Sequence, residues 1–146
     1  MTTLSLTHRL RRLRQSPAIR NLVRETTLAP ETLVYPLFVC TGSGVRREVP
    51  SMPGVFQLSV DEVVREVEGA RQDGIRAVLL FGLPERKDDT GSGAWDADAP
   101  VQAAVRAIKE QASDILVITD VCLCEYTSHG HCGIVNDRHG ALDVDN

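Results

Sequence analysis

Apolar positions recur along this chain in two rhythms. Three short runs are almost continuously apolar: TLVYPLFVC at 32–40, IRAVLLF at 75–81 and DILVITDV at 114–121. Runs of this length, bounded by polar and glycine-rich stretches, predict buried strands. Pro36 lacks an amide hydrogen for a ladder, so the first strand is expected to bulge or lie on an edge there. Between the runs the period lengthens to that of a helix. Val60, Val63, Val64 and Val67 share one face, behind Ser59 and Glu62 in the pattern of a capping box, and Gly74 ends the segment. Val101, Ala104, Val105 and Ile108 define a second helix, with Asp98 as its expected cap. The order is strand–helix–strand–helix–strand. Continuously apolar strands imply cover on both faces, which predicts a parallel sheet of the α/β class with right-handed crossovers.

The remaining segments divide the chain in two. Residues 1–30 read as an arm carrying one short helix, with Ser16 as cap, Pro17 at its first position, and Ile19, Leu22 and Val23 on its apolar face. Residues 31–146 hold the strands and helices. The stretch 41–53, rich in Gly, Pro and Arg, and the stretch 82–97, with Thr90-Gly91-Ser92-Gly93-Ala94-Trp95, are expected to be long loops facing a surface or a site. No internal repeat interrupts this order.

Composition narrows the class. The chain has 146 residues, 42% of them hydrophobic and 25% charged, which suits one ordinary soluble domain. No apolar run approaches the ~20 residues of a membrane span, and no secretory apolar core follows the start, so a reducing, cytoplasmic setting is expected. The formal net charge of −4 conceals an asymmetry: Arg9, Arg11, Arg12, Arg14, Arg20 and Arg24 precede the first acid, Glu25. A nucleic-acid arm, a transit peptide, an arm docking on an acidic neighbouring subunit and a plain solvated arm all accommodate that pattern. Nucleic acid fits it worst, because no stacking aromatics interleave with the arginines.

The chemistry is concentrated in Asp120-Val-Cys122-Leu-Cys124-Glu-Tyr-Thr-Ser-His-Gly-His131-Cys132-Gly133, which follows the third strand and holds three of the four cysteines. Thiols and imidazoles at this density point to zinc before a hard cation or a disulfide. If the strand persists, alternation puts Asp120, Cys122 and Cys124 on one face, at the carboxyl end where α/β proteins place their sites. The 125–130 loop would then turn back and deliver Cys132 to the same ion. Three thiolates leave one tetrahedral position open, as a catalytic ion requires. A closed structural zinc with His129 or His131 as fourth ligand, a C-x-C redox couple, and three packing cysteines are the competing readings of these residues. Cys40, alone at the end of the first strand, reads as an apolar filler.

The run DVCLCEYTSHGHCG at 120–133 resembles the metal-site signature of the porphobilinogen synthase (delta-aminolevulinic acid dehydratase) family. RRLRQSPAIRNLVRETTL at 11–28, LVYPLFV at 33–39, MPGV at 52–55, GIRAVLLFG at 74–82 and DDTGSGAW at 88–95 resemble other segments of that family, in the same order. The resemblance implies a (β/α)8 TIM barrel, of which this chain would supply the amino-terminal arm and the first three strands. It implies the zinc class, with Cys122, Cys124 and Cys132 as metal ligands, Asp120 as an acid of the active site, and His131 as a candidate for an additional, non-catalytic metal contact. The implied reaction is a hydro-lyase condensation of two 5-aminolevulinate molecules to porphobilinogen, in tetrapyrrole and haem biosynthesis, with one substrate held as a Schiff base. It also implies a homo-oligomer in which the arm wraps a neighbouring subunit, with no nucleic-acid or membrane partner.

Such a barrel needs roughly 250 residues. The lysines of this chain, Lys87 and Lys109, match neither Schiff-base position of the family. The 146 residues are therefore expected to be an inactive fragment with an open sheet edge and one uncovered sheet face. A non-catalytic zinc-binding module derived from the enzyme is the alternative.

Overall fold

The computed structural model describes residues 11–136 and 143–144. The start of the expected arm, including Arg9, lies outside the described residues. The rest of the arm forms a 3-10 turn at Arg12–Arg14 and helix α1 (Pro17–Leu22). Ser16 caps α1 as expected, its hydroxyl accepting from the Ile19 amide at 3.2 Å. The apolar face of α1 is not buried: Leu22 is 85% exposed and Val23 41%.

The three apolar runs become β1 (Val34–Cys40), β4 (Ala77–Leu83) and β5 (Leu116–Thr119). They pair in parallel, with β4 in the middle. The stretch 41–53, expected to be a loop, contains β2 (Arg46–Glu48), and β3 (Phe56–Leu58) follows just beyond it, giving a five-stranded sheet of order β2-β3-β1-β4-β5. β2 carries no apolar run because all three of its residues are exposed, so hydrophobic patterning could not mark it. β1 stays in register with β4 straight through Pro36, while β3 joins its other side only from Phe38. Pro36 thus sits where one flank of β1 is an edge, and its missing donor breaks no ladder.

Helices α2 (Val60–Gln72) and α3 (Pro100–Gln111) pack on one face of the sheet. Leu37, Val39, Val78 and Leu80 meet Val63 and Val67 of α2 and Val101, Ala104 and Ile108 of α3 in a single core. Both expected caps prove different. The Ser59 hydroxyl accepts from the Val45 amide at 2.9 Å and donates to Asp61 at 2.6 Å, so the capping box does not form. α2 is tied to the loop before it instead. Asp98 is not the cap of α3; Ala99 holds that position, Pro100 follows it, and Asp98 pairs with Arg106 nearly two turns into the helix at 3.4 Å. A proline at the first helical position removes a donor that needs no partner, which lessens the demand for a side-chain cap.

The helices cover only one face, so the cover on both faces that the apolar strands implied is absent among the described residues. On the other face the Phe38 and Phe81 rings lie 5.6 Å apart, while Val34 is 47% exposed and Leu116 59%. A closed barrel turns that second face inward, and the fold is accordingly a partial (β/α)8 barrel of the α/β class. The interior of its covered side should behave as a true core. Leu80 is fully buried between Leu37 and Thr119, and Leu80→Ala should cost about 2–5 kcal/mol in urea unfolding; a loss below about 0.5 kcal/mol would contradict this packing.

Candidate metal centre

Strand β5 ends at Thr119, so Asp120 and the cysteines lie beyond it. The expectation that one extended strand presents Asp120, Cys122 and Cys124 on a common face is not met. The Asp120 amide still donates to the Leu80 carbonyl at 3.1 Å, after which the chain turns. The amides of Tyr126 and Thr127 both donate to the Leu123 carbonyl, at 2.9 and 3.0 Å, closing a turn that carries Cys124 back toward Cys122. Gly130, with φ +76°, helps the chain reverse and return Cys132.

The result is a cluster of sulfurs. Cys122 Sγ lies 2.8 Å from Cys124 Sγ and 3.0 Å from Cys132 Sγ. All three ligand atoms fall within 4.8 Å of one another. Thiolates about 2.3 Å from a tetrahedral zinc stand ~3.8 Å apart. The cluster therefore needs only a small outward movement of each sulfur to hold that ion, and its all-thiolate donor set suits a soft or borderline metal. Hydrogen bonds to Cys124 and Cys132 push Cys122 up to about 12. Cys132 moves the other way, because it accepts from Cys122 and from the amides of Cys124 and Leu123.

Neither histidine joins the three sulfurs. His129 has both ring nitrogens engaged: Nδ1 accepts from the His131 amide at 3.2 Å, so Nε2, 3.1 Å from the Asp89 carbonyl, carries the proton. The His131 ring stacks on it, with centroids 5.7 Å apart. Cys40 is buried at the end of β1, and burial raises its thiol, in keeping with a filler.

Sequence reasoning missed the residues that hold this loop in place. Tyr126 and Thr127 are buried, at 7% and 1% exposure, in a segment that is otherwise polar. Tyr126 lies against Gly82 on β4, where an added Cβ would coincide with the tyrosine hydroxyl and come within 2.9 Å of Val101. A Cβ on Gly93 would stand 3.3 Å from the same ring, and one on Gly91, at φ +69°, 3.2 Å from the Thr127 methyl. Asp88 organises that glycine loop. Its carboxylate accepts from the amides of Thr90 and Ser92, each at 3.0 Å, and from both their hydroxyls. These bonds, that from the Ser92 hydroxyl foremost, hold the carboxyl well below the usual range. The Asp88 backbone then pairs with the cysteine loop: its amide donates to the Tyr126 carbonyl at 3.2 Å, and its carbonyl accepts from the Ser128 amide at 2.9 Å. An Asp followed by hydroxyl residues two and four positions later was the available signal for this turn. Glu125 reaches back as well, accepting from the Gly82 amide at 3.1 Å. Burial raises its carboxyl, the Gly82 bond opposes this, and nearby Asp120 raises it further.

The fold and this cluster define the chain as a partial α/β barrel with three thiols, grouped closely enough to hold a metal ion, beyond the carboxyl end of β5. A profile described as Delta-aminolevulinic acid dehydratase matches residues 7–146, and the chain belongs to that family. It is 53% identical over 129 residues to the delta-aminolevulinic acid dehydratase of Halalkalibacterium halodurans, covering 88% of this chain and 39% of that one. To the protein of that name from Methanothermus sociabilis it is 48% identical over 130 residues, covering 89% and 40% respectively. Among solved structures, delta-aminolevulinic acid dehydratase (porphobilinogen synthase) of Toxoplasma gondii, in complex with the reaction product porphobilinogen, superposes with a TM-score of 0.85 at 36% identity. That match covers 98% of this chain and 41% of the other. The chain thus spans about two fifths of the length of the relatives it matches.

If Gly82 is the notch that seats Tyr126, Gly82→Ala should dislodge the cysteine loop and raise the concentration of divalent metal needed to saturate the thiols by about tenfold or more, as loss of a supporting contact does at metal sites. Titration followed by free-thiol counting measures this, and unchanged saturation would contradict the packing role.

Proposed function

We propose that these residues are the amino-terminal portion of a zinc-dependent porphobilinogen synthase, which condenses two 5-aminolevulinate molecules to porphobilinogen. The observation that carries the reading is the cluster of three thiols at the carboxyl edge of β5, in a chain whose fold matches a family member bound to porphobilinogen. Cys122, Cys124 and Cys132 would hold zinc and leave one coordination position for substrate. Zinc so held supplies Lewis acidity toward an oxygen or amine of one substrate. Asp120 is the acid of the site. It follows the last paired residue of β5 directly, and it faces the charge environment of Glu125 and Tyr126, whose ionisations it disfavours.

Lys87 lies near enough to the cysteine loop for its charge to favour the ionised form of Glu125. Lys109 donates to the Ile115 carbonyl at 2.6 Å and braces the turn between α3 and β5, while Lys87 stands on the exposed loop after β4. Neither lysine matches a Schiff-base position of the family, and on this reading that chemistry would fall to residues not present in this sequence. On this reading residues 1–30 would be an arm and residues 31–146 would belong to the first three units of the barrel. The arginines of the arm, exposed at Arg11, Arg12, Arg14, Arg20 and Arg24, would dock on an acidic surface of a neighbouring subunit in a homo-oligomer. A cytoplasmic setting fits the reduced thiols; among the described residues no helix is long and apolar enough to cross a membrane.

The test uses one substitution and two readouts. In the protein completed by the remaining barrel units, Cys124→Ser should remove both bound zinc and the formation of pyrrole product from 5-aminolevulinate. Full zinc stoichiometry or undiminished turnover would overturn the assignment. In the 146-residue chain, borohydride should trap no 5-aminolevulinate adduct, and a stable adduct at Lys87 or Lys109 would contradict the division of labour.

A further inference from the structure

Thr127 stands between the second and third cysteines, yet it is 1% exposed and one of the two buried polar residues among those described. A buried hydroxyl must find a partner or destabilise the fold. The Thr127 hydroxyl donates to the His131 carbonyl at 2.9 Å, the peptide group that leads directly into Cys132. The same peptide segment is held at its other end, where the His131 amide donates to His129 Nδ1. Thr127 itself has little freedom. Its amide is bonded to Leu123, its neighbours pair with Asp88 on both sides, and its methyl group packs on Gly91. Residues 130 to 132 are exposed; the Cys132 sulfur is met by Cys122 and by the amides of Cys124 and Leu123, while its backbone is approached through the Thr127 bridge at the preceding peptide.

We infer that Thr127 is the positioning residue of the metal site: its hydroxyl transfers the rigidity of the Asp88–Gly93 loop to Cys132 and holds the third sulfur over the other two. The inference rests on the proposal that the three thiolates bind a metal. The hydroxyl touches neither metal nor substrate, so its contribution lies in fixing the return of the loop. Its loss leaves Cys122 and Cys124 in place and leaves Cys132 held only through the contacts of its own sulfur.

Cobalt(II) titration of the 146-residue chain tests this, with thiolate-to-cobalt charge-transfer absorption as readout. Its intensity reports the number of sulfur ligands, which a general loss of stability would not alter at saturation. Thr127→Val keeps the shape and removes the hydroxyl; it should weaken cobalt binding about tenfold or more, as outer-shell losses do, and lower the charge-transfer intensity per bound ion. Thr127→Ala, which cannot overfill the site, should weaken it at least as much, whereas Thr127→Ser should restore affinity to within about threefold of the native chain. Native affinity and intensity in Thr127→Val, or equal losses in Thr127→Ser and Thr127→Val, would overturn the positioning role while leaving the metal site intact. Absence of any sulfur-to-cobalt band in the native chain would overturn the metal reading and this inference with it.

Discussion

The seating of Tyr126 and Thr127 against the end of β4 and the glycine loop behind it governs the geometry of the site. Three cysteines on an exposed segment have no reason to converge, since ordering that backbone costs about 1–2 kcal/mol per residue. Burial of one aromatic ring and one methyl, together with main-chain pairing to Asp88, offsets that cost at the middle of the loop. The two flanks, with Cys124 before and Cys132 after, are then carried to one place. The glycines at 82, 91 and 93 are the negative image of these side chains.

This arrangement explains why chemistry gathers at the carboxyl ends of the strands in this chain. The loop after β4 and the loop after β5 leave adjacent parallel strands and meet side by side, linked by the Asp88–Thr127 bridge. One of them carries the three thiols and the other supplies rigidity. Asp88 provides that support with a carboxylate saturated by four local donors, a closed network independent of the thiols.

Much of this was legible in the sequence. The parallel strands, both helices, the cysteine cluster and the family resemblance rest on long periodic runs or on residues whose chemistry is distinctive. Less visible were features set by tertiary contact. Neither β2 nor the Ser59 and Asp98 contacts could be read correctly, because an exposed strand has no hydrophobic signature and a hydroxyl chooses between the helix and whatever loop lies near it. Asp120, Cys122 and Cys124 were expected on one strand face; β5 stops first, since its edge pairs with β4 only as far as Thr119. A turn delivers Cys124 instead. Thr127 and Gly82 gave no signal at all, as a threonine in a polar loop and a glycine ending a strand have common alternatives. Their roles emerge only when the two loops are seen in contact.

The central claim is that the three sulfurs at the end of β5 form one zinc site with a position left for a non-sulfur ligand. Zinc K-edge X-ray absorption on the zinc-loaded protein measures that coordination shell directly. The account predicts three sulfur scatterers at about 2.3 Å and one lighter oxygen or nitrogen neighbour near 2.0–2.1 Å. A shell with two sulfurs or fewer, or one completed by imidazole from His129 or His131, would contradict it.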